Sequence, residues 1–200
     1  HARADQKVDK RSGVSQRLPI STLENVVSNA ERRALVAGEP LVVPRVSDVY
    51  AALPSLTGKI ELEYEGELKG DDNVASELVR KSIATVFENH AAAINTRLIV
   101  KWFERGGTLD LADTSSAADL LGHTTAIEGM DNAVAALGIR PEDPHALQAA
   151  GADFILEGLC ALKKISRTDE GRLFGTPSKE RPRAEARTVA EAFWTQPNAR

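Results

Sequence analysis

The stretch Lys10-Arg11-Ser12-Gly13-Val14-Ser15-Gln16-Arg17-Leu18-Pro19-Ile20-Ser21 decides how the rest of the chain is read. Ser12 and Gly13 break the backbone, and Pro19 presets a dihedral angle suited to the first turn of a helix. Ser21 and Glu24 have the S-x-x-E spacing of a capping box. Leu23, Val26, Val27, Ala30, Ala34 and Leu35 then recur at helical spacing. That pattern predicts an amphipathic helix over residues 20 to 37, stopped at Gly38-Glu39-Pro40. Arg17 falls just before this helix or in its first turn. A guanidinium there keeps its proton, and its planar fork suits a phosphate. On local features alone it reads as a solvated arginine flanking a turn.

Downstream, Leu41-Val42-Val43 is a short extended stretch entering Pro44. Ser47 is placed to cap a second helix through Val49, Tyr50, Ala51 and Leu53, which Pro54 breaks. Pro54 to Lys59 is a turn.

Taken in order, Gly13-x-Ser15-x-Arg17, an apolar helix, Val42-Val43-Pro44 and Ser47-Asp48-Val49 resemble the small helical lid of AAA+ ATPases of the MoxR and magnesium-chelatase-like group. The resemblance implies a lid over residues 13–65, preceded by a linker or frayed end (1–12). It implies a helical extension over 66–174 and a mobile tail from 175 to 200 holding at most one short helix. Arg17 matches the arginine called sensor 2, which reaches from the lid to the terminal phosphates of ATP. Gly13, Ser15 and Arg17 are then the nucleotide-contacting positions, and Arg17 the catalytic one. ATP and Mg2+ would be held by an upstream AAA+ core of the same chain. The implied partners are neighbouring subunits of a homo-oligomeric ring and a protein with a von Willebrand factor A-type domain. The implied task is remodelling, or metal insertion, in a client. The long extension departs from true chelatase motor subunits, and no porphyrin or magnesium ligands stand out.

Composition fits a helical chain. Two hundred residues at 42% hydrophobic and 27% charged allow one or two folded domains. Aromatics are only 4% while alanine is plentiful, which suits close-packed helices, so the expected class is all-α. The formal charge of −4 carries no nucleic-acid footprint. The single cysteine, Cys160, excludes an intrachain disulfide and fits a reducing cytoplasm. No apolar run approaches the roughly 20 residues that span a bilayer. His1 to Lys7 lack a signal core.

Further along, Ile60 to Glu65 alternates apolar and acidic residues as a short strand or extended chain would, and Gly66 to Asp72 reads as a charged loop. Helical patterns follow from Asp71, with Glu77 and Lys81 at i,i+4, from Asn95 or Thr96, from Thr114 or Ser115, and from Thr125 to Leu137. The longest runs from 145 to 166. Residues 167 to 182 read as loop, and 183 to 193 as a short last helix.

Several motifs are set aside. Gly58-Lys59 is not a phosphate loop, because Leu53 stands where the first glycine belongs and Ile60 where Ser or Thr belongs. Nothing else supplies a phosphate loop or an acidic metal-binding strand, so this segment alone is not expected to hydrolyse ATP. Arg11 is a second phosphate candidate but reads as a solvated linker charge. Arg32 and Arg33 read as pairing with neighbours such as Glu31 or facing solvent. His90, His123 and His145 lack ligand spacing, so no metal site is expected. Cys160 and Trp102-Phe103 read as packing residues. Asp110, Asp113 and Asp119 read as caps, and the basic run from Lys163 to Arg187 is diluted by acids. Two other classes stay open. One is a helical adaptor or protein-interaction module without nucleotide chemistry, the other a helical nucleic-acid module, which the charge does not favour.

Overall fold

The structure, a computed structural model, describes residues 1–11, 13–91, 94–112, 114–168 and 172–176. Helix α1 (Leu18–Ala37) begins two residues earlier than the pattern suggests. Arg17 is its N-cap and Pro19 lies at its start. Ser21, expected as a cap, is already inside, its N–H donating to the Arg17 carbonyl at 2.9 Å. Gly38 ends the helix with φ +66°, a left-handed angle that a Cβ would strain. Helix α2 (Val46–Ala51) is capped from Arg45 rather than Ser47, because Asp48 reaches back to accept the Arg45 N–H at 2.8 Å. The single turn α3 (Pro54–Thr57) follows.

Residues 1–11, read from sequence as a linker, lie against this unit. Val8 is 1% exposed and bridges Leu62, while Val14 bridges Ile60, so two passes of the amino-terminal chain pair with the 60–62 stretch. Asp5 pairs with Lys81 at 2.5 Å and Lys7 with Glu77 at 3.2 Å. Those contacts replace the Glu77–Lys81 pairing expected within the helix. Alternation at 60–65 gives way early to α4 (Tyr64–Lys69), where a loop was expected.

Helix α5 (Asp71–Ala91) serves two apolar clusters. Its Val74, Leu78, Val79 and Ile83 pack with Val8, Leu56 and Ile60, whereas Phe87 joins the carboxy-terminal core. That core gathers α6 (Arg97–Glu104), α7 (Ala117–Thr124), α8 (Met130–Ala135) and α9 (His145–Ala161). Helix α9 is its axis, with Ala149, Ala152, Ile155, Leu156 and Leu159 at most 1% exposed. Gly158 lets α5 approach, since a Cβ there would stand 2.1 Å from the Phe87 ring.

The all-α expectation needs one correction. The chain is mostly helical but also carries a small antiparallel sheet, β1 (Thr108–Asp110), β2 (Ile165–Arg167) and β3 (Arg172–Gly175), in the order β1-β3-β2. Leu109 lies opposite Leu173, which lies opposite Arg167. Leu109, Ile165 and Leu173 point into the core. The stretch expected as the last turn of the long helix is therefore β2. Helix α9 stops at Ala161, and Lys163 turns the chain with φ +58°. Strands of three or four residues leave almost no period-two signal to read. The helix expected at 183–193 and the tail lie outside the described residues.

Candidate functional site

The three residues singled out as nucleotide-contacting lie together at the start of α1, but they do different things. Gly13 is buried, its N–H donating to the Asp9 carbonyl at 3.0 Å and its own carbonyl accepting the Glu61 N–H at 2.9 Å. A Cβ at this position would fall 1.8 Å from the Asp9 carbonyl oxygen, so only glycine fits the approach. The Ser15 N–H donates to Lys59 at 3.0 Å, and its carbonyl accepts the Leu18 N–H at 3.1 Å. Ser15 Oγ accepts the Arg17 N–H at 3.2 Å. Gly13 and Ser15 thus fix the backbone that presents Arg17. The Arg17 side chain is exposed and makes no ion pair among the described residues. It stands at the positive end of the α1 dipole, which favours negative charge, although the Leu18 N–H is already given to Ser15 and Pro19 has none. This corner can receive an anion.

Beside Arg17 runs an open apolar groove of about 590 Å³, walled by Leu18, Leu23, Val26, Leu56, Leu78 and Ile83. Ile20 and Leu23 on the amino-terminal half of α1 are 60% and 65% exposed. The corner therefore combines a fixed cation with an uncovered apolar surface. Arg11, the second candidate, is exposed too, and its backbone N–H donates to Asp9 Oδ1 at 2.7 Å.

The other end of α1 holds charges that the sequence reading misplaced. Arg33, expected to face solvent or pair with Glu31, is 2% exposed. Its Nη2 lies 3.1 Å from Asp48 Oδ2 and donates to the Val43 carbonyl at 2.8 Å, and Nη1 lies 3.3 Å from Glu39 Oε2. Asn29 adds a bond to Asp48 Oδ1 at 2.7 Å. Glu39 also meets Arg45 at 3.4 Å and accepts the Ala117 N–H at 2.5 Å, tying the network to α7. Arg45 Nη1 donates to the Ser115 carbonyl at 2.7 Å. Asp153 of α9 caps α2, accepting the N–H groups of Val46 at 2.7 Å and Ser47 at 3.4 Å. The signal was present in helical spacing. Arg33 lies three residues after Ala30 and one before Ala34, both buried on the apolar side of α1.

Burial sets the electrostatics of this network. Desolvation raises the Asp153 carboxyl above its ordinary value, although the two α2 amides pull the other way. Desolvation, reinforced by the neighbouring Arg33 charge, pulls the Arg45 guanidinium down. Its Nε is buried with no partner among the described residues. A cavity of about 20 Å³ adjoins it, lined by Ser47, Asp153, Glu157 and Arg167, which is room for about one water molecule. Charges on α1, the α1–α2 loop, α2 and α9, with backbone groups at the start of α7, fasten these elements together in this way; they offer no open reacting position.

Of the aspartates read as caps, Asp119 is one, Asp110 is instead in an ion pair, and Asp113 lies outside the described residues. Asp119 and Ser116 form the cap of α7, with Ser116 Oγ accepting the Asp119 N–H at 3.1 Å, and Asp110 pairs with Arg172 at 2.6 Å across the sheet. Trp102 packs edge-on to Phe103. Burial pushes the Cys160 thiol up, away from the thiolate that nucleophilic chemistry requires. Among the described residues no cluster of three or more His, Cys, Asp or Glu could hold a metal, and no helix is long and apolar enough to cross a membrane. No family model, curated protein or solved structure matches the chain.

Proposed function

We propose that this chain is the carboxy-terminal part of a MoxR or magnesium-chelatase-like AAA+ ATPase, in which Arg17 meets the terminal phosphates of ATP bound on an upstream core. The observation that carries the reading is the state of Arg17. It is an exposed guanidinium on a backbone held by Gly13 and Ser15, one residue before Leu18 in the wall of an apolar groove. A lid arginine needs a backbone held in place and a side chain open toward its nucleotide; the hydrogen-bonded backbone around Arg17 and its exposed guanidinium support the reading. The groove supplies apolar surface for a neighbouring domain to cover. ATP hydrolysis supplies the driving force. This chain contributes one charge-assisted clamp and a rigid support that converts the clamp into lid motion.

The proposed wider setting is a homo-oligomeric ring in the cytoplasm acting on a client, with a von Willebrand factor A-type protein as partner. The test is ATP-analogue affinity and turnover in the full-length protein carrying Arg17→Ala or Arg17→Lys. Loss of turnover by about tenfold or more, with unfolding unchanged, is expected, since a point-charge lysine replaces a bidentate fork poorly. Wild-type binding and turnover in both variants would falsify the assignment.

A further inference from the structure

A second cleft of about 600 Å³, sharing no lining residue with the groove at Leu18, opens between the α2–α3 corner, the middle of α5 and the sheet. Its volume lies within the range typical of small-molecule sites. It is more polar than the first groove, and basic. Arg80, Lys163 and Arg167 line it against one carboxylate, Glu157, in a chain whose overall charge is −4. Ser166, Thr168 and Thr176 add hydroxyl groups.

One wall is already organised. Arg167 lies 2.5 Å from Glu157, a pair mostly shielded from solvent, and its guanidinium sits 6.0 Å from the centre of the Tyr50 ring. Burial pushes the Tyr50 phenol up to about 12, so it stays a neutral donor at physiological pH. Ser166 Oγ and Thr176 Oγ1, just past the end of β3, are hydrogen-bonded to each other at 3.1 Å, and Thr176 Oγ1 also donates to the Lys163 carbonyl at 3.4 Å, so a ligand there would take over these bonds. Arg80 and Lys163, on different elements, remain exposed beside this wall and make no ion pair among the described residues.

A separate observation concerns the backbone. Lys163, at φ +58°, is the one non-glycine residue in the left-handed region among the described residues. It occupies the turn after α9, where its N–H donates to Cys160 and that of Lys164 to Leu159, both at 2.9 Å. Glycine is the residue this helix-ending turn favours, and five other positions with positive φ in this chain do carry glycine. A lysine kept in a strained conformation at the lip of a cavity points to a use for its side chain.

We propose that this cleft binds a phosphorylated small molecule, with Arg80 and Lys163 as its anion-holding cations and Ser166, Thr168 and Thr176 as hydrogen-bonding partners. Two cations approaching from different elements, with hydroxyl donors between them, suit the several oxygens of a tetrahedral phosphate better than the two oxygens of a planar carboxylate. The site is separate from Arg17 and does not depend on the ATPase reading.

The experiment is a calorimetric and NMR titration of the full chain with pyrophosphate at fixed ionic strength, with citrate as the polycarboxylate comparator. Saturable binding is expected, shifting the amides of Ser166, Thr168 and Thr176, with citrate at least tenfold weaker. Arg80→Gln and Lys163→Gly should each weaken binding by about tenfold or more, the scale of one lost charge-assisted bond. Lys163→Gly should also melt at or above the wild-type temperature, which separates lost binding from lost folding. Lys164→Gln removes a neighbouring charge that does not line the cleft, and Arg17→Ala one outside it; both should bind as wild type. Absence of saturable binding overturns the proposal. So does citrate binding as tightly as pyrophosphate, or Lys164→Gln weakening as much as Lys163→Gly.

Discussion

Helix α1 carries an arginine at each end of its apolar side, and the two live under opposite physics. Arg17, the N-cap, is exposed and makes no ion pair among the described residues. Arg33, near the other end, is enclosed by Asp48, Glu39 and the Val43 carbonyl. An arginine in water gives up little when it turns to a new anion, because its charge is solvated before and after. An arginine withdrawn from water must keep its partners, because any carboxylate left behind is stranded in a medium that cannot solvate it. The first arrangement is available for recognition. The second fastens a helix, a loop and the start of the next helix into one body. Arg32, adjacent to Arg33 in sequence, is exposed and bonds only to Asn29 among the described residues, at 2.8 Å. A one-residue step around the helix separates the two fates.

The contrast can be broken most directly at Arg33. Arg33→Ala is expected to cost about 3–5 kcal/mol in urea unfolding, because Asp48 and Glu39 lose their buried counter-charge. The paired change Arg33→Met with Asp48→Asn removes the buried charge pair while keeping an acceptor for Arg45 N–H, and should recover part of that loss; a double variant as unstable as Arg33→Ala would show that the stranded carboxylate is not its source. Next in size, Asn29→Ala removes the 2.7 Å bond to Asp48 and should cost about 1.5–3 kcal/mol, the range for a bond to a charged group.

Asp153 sharpens the comparison through pH. Its carboxyl is raised in the folded chain, so between the ordinary carboxylate value and the raised one the native state holds more protons than the unfolded state. Its contribution to stability is therefore fully present at acid pH and declines as pH rises through the raised value. Asp153→Asn removes that slope. Wild type should lose ground to the variant as pH rises above the ordinary carboxylate range in parallel urea titrations; a gap that is constant or moves the other way contradicts the buried assignment. Asp5 and Glu77 act in the opposite sense, since their ion-paired carboxyls are lowered and lend stability that falls away under acid. The smallest effect is expected at the open end, where Arg17→Ala should change unfolding by no more than about 0.5 kcal/mol, typical of a surface site. A larger loss would mean that Arg17 is as structural as Arg33.

Some of this was legible beforehand. The 3.6-residue pattern of α1, α5, α6 and α9 is written in their alanines and branched residues, and each appears close to where the pattern puts it. The turn at Gly38 follows from a glycine after the last apolar residue. The short sheet was not legible, because β1 comes from a segment far in the chain from β2 and β3, and strands this short gain their character only by meeting. Nor was the cap of α7 at Ser116 rather than its neighbours, since Thr114 and Ser115 offer the same local chemistry.

At the candidate site the division is similar. The sequence by itself determined that a glycine, a serine and an arginine would stand at the entrance of a helix, because those choices depend on backbone geometry within a few residues. Which arginine would be buried, and which left facing outward, depended on what α2, α7 and α9 bring against α1. That outcome rests on desolvation, which is a property of all the surfaces meeting at a point. No stretch of chain carries it alone, and only the assembled fold decided it.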